Sequence, residues 1–282
     1  MAEKFKVKQN DKLLNFLFSS LVGWSKKRIK DRLKGVSVAV NGEITTKYDL
    51  ALNVDDIVEV GVVQKSKPSI KTLNIIYQDK DLIAINKPAG LLSVGSASEN
   101  KQHALYILRE QLSRGKSRVN LIPVHRLDRD TSGILLFATS KDIREKVMDN
   151  WDKATKIYLA IVEGSLKAPK GTINQPLRLD DDKEYKVHVG EHKEAKKAIT
   201  HYKTIKNSRT KTLLEVKIET GRQHQIRAHL SWLGNAIVGD ERYGKKGNRL
   251  GLHATRLNIY HPVKKEYLSL EVEAPKDFYE LI

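Results

Sequence analysis

Apolar residues near the N-terminus recur at intervals that are typical of short helices. In the first helix the apolar positions are Leu13, Leu14, Phe16, Leu17 and Leu21. Ser25 can cap a second helix from Lys26 to Lys34, which Gly35 ends. In this second helix Ile29 and Leu33 form a narrow apolar stripe, and six lysines or arginines cover the remaining surface. A polyanion would relieve the repulsion among these cations.

The residues that follow alternate between apolar and polar positions, which predicts strands. Valines at 36, 38 and 40 indicate a first strand, Asn41-Gly42 marks a hairpin turn, and residues 55–60 fit a closing strand. We therefore expect residues 1–60 to form a small compact domain. A polar, basic and proline-containing stretch comes next, and it predicts a linker over residues 61–72.

Beyond the linker, residues 73–282 combine short strands and helices without a regular alternation. Strands are predicted at residues 82–86, 134–138, 156–164 and 213–218. Ser140 can cap one helix, and Gly221 can close the turn before another, which has Ile226 and Leu230 on one face. Residues 179–197 are highly charged and predict an exposed loop or hairpin. This order of elements predicts an α+β domain rather than a doubly wound α/β fold.

The composition narrows the class of partner. The formal net charge is +17, and an excess of this size favours a polyanion, either nucleic acid or an anionic membrane surface. Nucleic acid is the stronger interpretation because no apolar run approaches the roughly 20 residues of a membrane-spanning helix, and no signal-peptide pattern is present. The sequence contains no cysteine, so it has no disulfide framework or thiolate metal site. We expect a cytoplasmic protein without a membrane partner.

The most concentrated polar chemistry lies in residues 125–133, between two apolar segments. Asp128 stands between Arg126 and Arg129, whose charges would keep its carboxylate ionised near neutral pH. An ionised and positioned carboxylate can act as a nucleophile, a base or an electrostatic stabiliser. The residues support a second interpretation equally well, namely an ion-paired turn in which Thr131 and Ser132 bond the backbone.

A second group of polar side chains follows the predicted strand at 213–218. Arg222, His224, Arg227 and His229 are close in sequence and are predicted to cluster their donors within one and a half helical turns. The two histidines are five residues apart, with no cysteine or acidic residue beside them. This spacing argues against a zinc site.

The sequence motifs resemble those of a known enzyme family. His-Arg-Leu-Asp at 125–128, followed two residues later by Thr-Ser-Gly, resembles the signature of the RluA-type pseudouridine synthases. Asn-Lys-Pro-Ala-Gly at 86–90 resembles the first motif of that family, although Ser-Val-Gly-Ser at 93–96 replaces the His-Pro that commonly follows. Weaker motifs occur in the order of the family at 239–244, 252–254, 261–262 and 274–275. The N-terminal helices and the Val-Asn-Gly hairpin are similar to the S4 RNA-binding module, with Lys-Lys-Arg in place of the usual Ser-Arg pair.

This resemblance implies both a fold and a reaction. The fold would be a mixed, mainly antiparallel sheet with flanking helices and loops, preceded by a small α/β module of the S4 type. The reaction would break the N1-glycosidic bond of a uridine in RNA and reattach the base through C5, which gives pseudouridine. Because this isomerisation adds no group and changes no oxidation state, we expect neither a cofactor nor a metal.

The resemblance also implies roles for individual residues. Asp128 aligns with the catalytic aspartate, Arg227 with the arginine that pairs with it, and Tyr158 with the tyrosine that stacks on the target base. Taken alone, Tyr158 would be interpreted as a core aromatic of a strand, and Arg126 as a structural ion-pair partner. The residues expected to bind the substrate are Arg126, Lys87, Arg222, His224, Lys26, Lys27, Arg28 and Lys30.

Other functions stay open on the sequence alone. A non-catalytic RNA-binding protein would need only the charge and the S4-like module. A hydrolase acting on the N-glycosidic bonds of RNA would call for a second carboxyl group, for which Asp130 is the candidate. For the isomerase, large-subunit ribosomal RNA is the first choice of substrate and transfer RNA the second. The sequence does not predict an oligomeric state.

Overall fold

The computed structural model describes residues 3–35, 37–61, 70–96, 101–113, 119–179 and 186–282. Contacts within the chain divide it into two compact units, residues 1–69 and residues 70–282. Val36, most of the predicted linker and the three aspartates at 180–182 lie outside the described residues. The linker and its boundaries therefore stay a prediction.

The N-terminal unit is built from short elements. In chain order they are β1 (Glu3–Lys6), β2 (Asp11–Lys12), α1 (Leu13–Ser20), α2 (Lys26–Lys34), β3 (Val38–Val40), β4 (Glu43–Ile44), β5 (Ala51–Leu52) and β6 (Ile57–Val60). The sheet has the strand order β1-β6-β3-β4, and β2 pairs separately with β5. All of these pairs are antiparallel. The two helices pack their apolar side chains on this framework and form one core cluster.

The helix cap and the hairpin turn predicted for this unit are both present in the structure. The Ser25 side chain accepts a hydrogen bond from the Arg28 backbone N–H at 3.2 Å, which caps α2. Asn41 and Gly42 have φ angles of 51° and 82°, as the tight turn between β3 and β4 requires. The predicted closing strand is wrong at its start. Asp55 has a φ of 76°, and this left-handed backbone delays the strand until Ile57.

The larger unit holds the remaining elements. They are β7 (Asn74–Gln78), β8 (Leu82–Lys87), α3 (Ala104–Leu112), β9 (Ile122–Pro123), β10 (Ser132–Ala138), α4 (Lys141–Met148), β11 (Thr155–Glu163), β12 (Lys170–Asn174), β13 (Leu177–Leu179), β14 (Val187–Val189), β15 (Ile199–Asn207), β16 (Lys211–Ile218), α5 (Gln225–Trp232), β17 (Leu252–His261), β18 (Glu266–Glu271) and α6 (Lys276–Tyr279). Within the described part of the chain, no helix has the length and apolar content needed to cross a membrane.

One mixed sheet of ten strands organises this unit. Its main order is β12-β15-β16-β11-β17-β10-β8-β7, with β18 beside β17 and β9 beside β10. Among the described strand pairs of this sheet, only β10 and β17 run parallel, and the others are antiparallel. The prediction of an α+β fold with a mainly antiparallel sheet is confirmed.

Strand β10 is buried along its whole length. Its side chains alternate between two core clusters, with Ile134 and Leu136 on one face and Leu135 and Phe137 on the other. At its start, Gly133 has a φ of 113°, and a Cβ there would lie 2.2 Å from the Ala254 backbone oxygen. Only glycine fits this close approach to β17. The segment just before Ser132 is therefore anchored to the middle of the sheet.

Candidate active site

The backbone around Asp128 is held from both sides. The Ser93 hydroxyl donates to the Leu127 carbonyl at 2.7 Å and accepts from the Leu127 N–H at 3.0 Å. On the other side, the Lys87 ammonium donates to the Arg129 carbonyl at 3.0 Å. Ser93 belongs to the tetrapeptide that replaces the usual His-Pro, so this departure from the family pattern still supplies a backbone anchor. The segment cannot shift without breaking buried hydrogen bonds.

Lys87 lies beneath the site with no exposed surface. Its Nζ also donates to the carbonyls of Pro88 and Leu91, at 3.0 and 2.7 Å. Burial lowers the pKa of Lys87 to about 7, while the negative charges of Asp130 and Asp128 oppose that change. Three carbonyl acceptors match the three N–H bonds of an ammonium group. The prediction that Lys87 binds substrate is therefore wrong, because its donors are used to position the Asp128 segment.

Arg227 joins two carboxylates that are distant in sequence. Its Nη1 donates to Asp128 Oδ2 at 3.0 Å, while Nε and Nη2 donate to the two oxygens of Asp240 at 2.7 and 2.8 Å. Burial lowers the pKa of Arg227, but its bonds and attraction to Asp240 and Asp128 outweigh burial and raise the pKa overall. The guanidinium is thus a fixed positive charge with one N–H directed at Asp128.

Asp240 is a site residue that the sequence did not predict, although its segment is one of the weaker family motifs. It is 1% exposed, and its Oδ1 also accepts from the backbone N–H groups of Arg242 and Tyr243, at 3.1 and 3.2 Å. The preceding Gly239 has a φ of 75°, and a Cβ there would lie 1.9 Å from the Arg249 carbonyl oxygen. The position of Asp240 after a constrained glycine was the available signal, but nothing in the local pattern indicated that this carboxylate is buried.

His224 stands next to the same carboxylate. Its Nε2 lies 3.8 Å from Asp128 Oδ2, and its Nδ1 lies 3.0 Å from the Tyr243 hydroxyl. Burial lowers the pKa of His224, and the nearby Asp128 charge opposes this change. Tyr243 is a further site residue that the sequence did not predict. Its hydroxyl also accepts from the Val187 backbone N–H at 2.8 Å, and its ring lies 5.3 Å from the Arg227 guanidinium carbon.

Tyr158 lies on β11 and packs between two core clusters of the sheet. The pairing of β11 with β17 shifts register between Ile157 and Tyr158, and such a bulge redirects the side chain that follows it. Burial raises the pKa of Tyr158, and the negative charge of Asp128 raises it further. Tyr158 is therefore a protonated phenol within electrostatic reach of Asp128.

The charges predicted to flank Asp128 do not pair with it. Arg126 and Arg129 are exposed, and among the described ion pairs Asp128 contacts Arg227 and His224 instead. Asp130 is exposed as well. The partner of the carboxylate comes from a distant segment and is Arg227, the arginine that the family resemblance paired with Asp128.

Of the four donors predicted to cluster before and within α5, the structure brings His224 and Arg227 together at Asp128, while Arg222 and His229 bond elsewhere. His224 has a φ of 50°, and this left-handed backbone delays the helix until Gln225. Arg222 therefore lies outside the helix, where its Nε donates to the Lys197 carbonyl at 3.1 Å. His229 is fully buried, with its nitrogens 2.8 Å from Thr200 Oγ1 and 2.9 Å from the Gln175 carbonyl.

The predicted RNA-binding cations of α2 belong to the N-terminal unit. Lys26, Lys27, Arg28 and Lys30 are exposed. The Arg28 guanidinium carbon lies 3.8 Å from the centre of the Trp24 ring, and that of Arg32 lies 5.7 Å from it. This arrangement presents positive charge beside an aromatic ring.

A single group of described residues has the spacing of a metal site. Asp79, Asp81 and His261 bring their ligand atoms within 4.8 Å of one another. The Asp79 carboxylate already accepts from the Tyr77 hydroxyl, and its Oδ2 lies 3.0 Å from the Lys264 ammonium. The group is therefore a hydrogen-bonded ion cluster that ties the β7–β8 turn to the β17–β18 turn.

Comparisons with known proteins point to one enzyme family. Residues 81–232, more than half of the chain, match the family model described as RNA pseudouridylate synthase. An uncharacterized RNA pseudouridine synthase of Aquifex aeolicus (strain VF5) is 33% identical over 98% of this chain and 94% of that protein. Ribosomal large subunit pseudouridine synthase D of Escherichia coli (strain K12) is 29% identical over 92% of this chain and 86% of that protein. The solved structure of human RNA pseudouridylate synthase domain containing 4 has a TM-score of 0.61 and 27% identity, and the match covers 74% of this chain and 91% of that chain.

Proposed function

This chain belongs to the RNA pseudouridylate synthase family and is an RNA pseudouridine synthase, and we propose that Asp128 is its catalytic residue. One observation carries the proposal. Asp128 is a partly exposed carboxylate on a segment anchored from both sides, and one of its oxygens is held by a buried arginine. An ionised carboxylate in a fixed position suits attack on an electrophilic carbon of the nucleotide.

The isomerisation of uridine needs few further groups from the protein. The N1–C1′ bond of uridine breaks, a C5–C1′ bond forms, C5 loses its proton and N1 gains one, so atoms and charge balance without a cofactor. Asp128 would attack either the uracil ring or the ribose carbon. Tyr158 would stack on the base once the nucleotide is extruded from its helix. Its raised pKa keeps the phenol protonated, so it can donate a hydrogen bond but does not start as a base.

We propose large-subunit ribosomal RNA as the substrate. The Escherichia coli relative is described as a ribosomal large subunit pseudouridine synthase, and its similarity extends over 92% of this chain. Transfer RNA is the second candidate. The cytoplasmic location expected from the sequence stays part of this proposal.

We further propose that the N-terminal unit binds RNA in the manner of an S4 module. The exposed cations of α2 would contact phosphates, and Trp24 with Arg28 would offer a stacking surface to an unpaired base. Arg126 and Arg222, both exposed in the catalytic unit, stay candidates for holding RNA near the site.

Mapping of pseudouridine at nucleotide resolution tests the substrate and the catalytic residue together. The RNA would come from cells that lack this protein and carry either the wild-type gene or the Asp128→Asn variant. We expect discrete sites in large-subunit ribosomal RNA that only the wild type restores. Sites found only in transfer RNA would replace the first substrate by the second, and sites restored equally by Asp128→Asn would refute the role of Asp128.

A further inference from the structure

His224 holds a left-handed backbone conformation that residues other than glycine seldom adopt. Its φ and ψ are 50° and 18°, in the left-handed region, immediately before α5. Non-glycine residues in this region are uncommon, and where they persist the surrounding contacts hold them. The conformation places the imidazole between the Tyr243 hydroxyl and the Asp128 carboxylate. These contacts give a reason for the strain that an ordinary helix start would not need.

The Tyr243 hydroxyl and the Asp128 carboxylate together favour one imidazole tautomer of His224. The hydroxyl accepts from the Val187 N–H at 2.8 Å and has one proton of its own to donate. If that proton goes to Nδ1 of His224, 3.0 Å away, Nε2 carries the ring proton and directs it toward Asp128. The opposite tautomer would turn a lone pair of Nε2 toward a carboxylate oxygen 3.8 Å away, which is repulsive. The first tautomer therefore satisfies both neighbours.

Both donors near Asp128 approach the same oxygen atom. Arg227 Nη1 lies 3.0 Å and His224 Nε2 lies 3.8 Å from Oδ2, and no described hydrogen bond reaches Oδ1. The His224 contact is somewhat longer than a hydrogen bond, as is common for catalytic contacts before substrate is bound. Oδ2 is thus the anchored oxygen, and Oδ1 is the one left for the nucleotide.

We propose that His224, oriented by Tyr243, is a positioning residue for Asp128, in place of the substrate-binding role predicted from the sequence. Its Nε2–H and the Arg227 Nη1–H together hold Oδ2, which presents Oδ1 to the reacting carbon. This inference rests on the proposed catalytic role of Asp128. Burial lowers the pKa of His224 and so favours a neutral ring; Arg227 and Arg242 act in the same direction, whereas Asp128 and Asp240 oppose it.

The kinetic test uses variants that differ in one donor. His224→Gln keeps an N–H donor near the position of Nε2, His224→Phe keeps the volume without a donor, and His224→Gly adopts the left-handed backbone without strain. We expect His224→Phe and His224→Gly to lower kcat about 10- to 100-fold with KM for an unmodified ribosomal RNA transcript changed less than about threefold. His224→Gln should keep kcat within about threefold of the wild type. A kcat for His224→Phe equal to that of the wild type would overturn the proposal.

A spectroscopic test does not depend on activity. Long-range proton–nitrogen NMR of the histidine rings should show His224 as the neutral Nε2–H tautomer at pH 7, with its signals assigned by their loss in His224→Gln. Tyr243→Phe removes the donor to Nδ1 and should raise the population of the Nδ1–H tautomer. A wild-type ring in the Nδ1–H form refutes the proposed orientation. If the tautomer is as expected but Asp128→Asn stays active, the proposed function fails while the hydrogen-bond geometry stands.

Discussion

The active site and helix α2 both use cationic side chains, but they hold them in opposite ways. Arg227 is buried between the carboxylates of Asp128 and Asp240, with hydrogen bonds of 2.7 to 3.0 Å. The cations of α2 are exposed, and among the described contacts Arg28 lies on the Trp24 ring rather than against an acid. The ion pairs described in the N-terminal unit are made by Lys4 and Lys6 of β1 instead.

This difference assigns different tasks to the same kind of charge. A buried guanidinium that bonds two carboxylates through three of its N–H groups has one geometry, so it can fix the position of a reacting carboxylate. Exposed cations attract a polyanion from a distance, tolerate many geometries and are screened by salt. Damage to the first region should therefore lower the rate of catalysis, and damage to the second should weaken RNA binding.

The largest expected effect is the loss of the Asp128 charge. Asp128→Asn should lower kcat by about 10³-fold or more because the amide cannot attack carbon, while the Kd for RNA changes little. Single-turnover kinetics and filter binding with the same transcript separate the two quantities. Asp130→Asn, which alters an exposed neighbouring carboxylate, is the matched control and should keep its rate within about threefold of the wild type. Equal losses in both variants would contradict the assignment.

The second-largest effect is expected from removal of the Asp240 charge. Asp240→Asn breaks a buried ion pair with Arg227 and should lower the free energy of unfolding by about 3 to 5 kcal/mol. It should also lower kcat, because Arg227 is then free to turn away from Asp128. Urea denaturation and turnover on the same preparation check both effects. Glu241→Gln, on the exposed neighbour, should leave stability within about 0.5 kcal/mol of the wild type.

Mild acid should destabilise the catalytic unit more than the N-terminal unit. Burial lowers the pKa of His125 and of His253 to about 4 from an ordinary value of 6.5. Between pH 4 and pH 6.5 these two histidines bind more protons in the unfolded chain than in the native one. Native stability therefore falls as the pH drops from 6.5 toward 4. Each histidine should contribute about 3 kcal/mol to this loss. All nine histidines lie in the catalytic unit, so the N-terminal unit should be spared this effect.

Tryptophan fluorescence can report this difference in urea titrations at pH 7 and pH 4.5. The wild type carries Trp24 in the N-terminal unit, whereas the variant Trp24→Phe leaves only Trp151 and Trp232, both in the catalytic unit, as reporters, so comparison of the two titrations separates the units. His125→Gln cannot gain a proton and should lose less stability on acidification than the wild type. An identical loss in the two proteins would exclude His125 as a source of the pH dependence.

The smallest effect is expected from the basic helix. Replacing Lys27, Arg28 and Lys30 by glutamine in one variant should raise the Kd for RNA about tenfold at physiological salt and leave kcat unchanged. The slope of log Kd against log salt should fall by about 0.7 to 0.9 for each phosphate that the variant no longer neutralises. The control replaces Lys141 and Lys146 on α4 by glutamine. These two lysines pair with Glu145 and Asp142 on the same helix. A reduced kcat with an unchanged Kd in the α2 variant would contradict the division of tasks.

Local signals predicted much of the fold. Ser25 and Ser140 cap α2 and α4, where their hydroxyls accept backbone N–H groups three residues ahead. Residues 134–138 form a strand buried on both faces, as the unbroken apolar run indicated. Boundaries were missed where single residues take left-handed backbone, at Asp55 and His224. Neither residue is a glycine, so composition gave no warning of the break.

The amino-acid sequence alone was enough to predict most secondary elements, the family motifs and the candidate for the reactive carboxylate, because caps, turns and periodic burial depend on residues close together in the chain. The family resemblance also paired Arg227 with Asp128, and the fold brings these two residues together across 99 positions. The contacts of Asp240 with Arg227 and of Tyr243 with His224 came from the three-dimensional fold alone. The fold also placed Lys87 beneath the site rather than in it. Ion pairs and hydrogen bonds of this kind depend on how the fold brings distant segments of the chain into contact. A local pattern of charges does not predict those contacts.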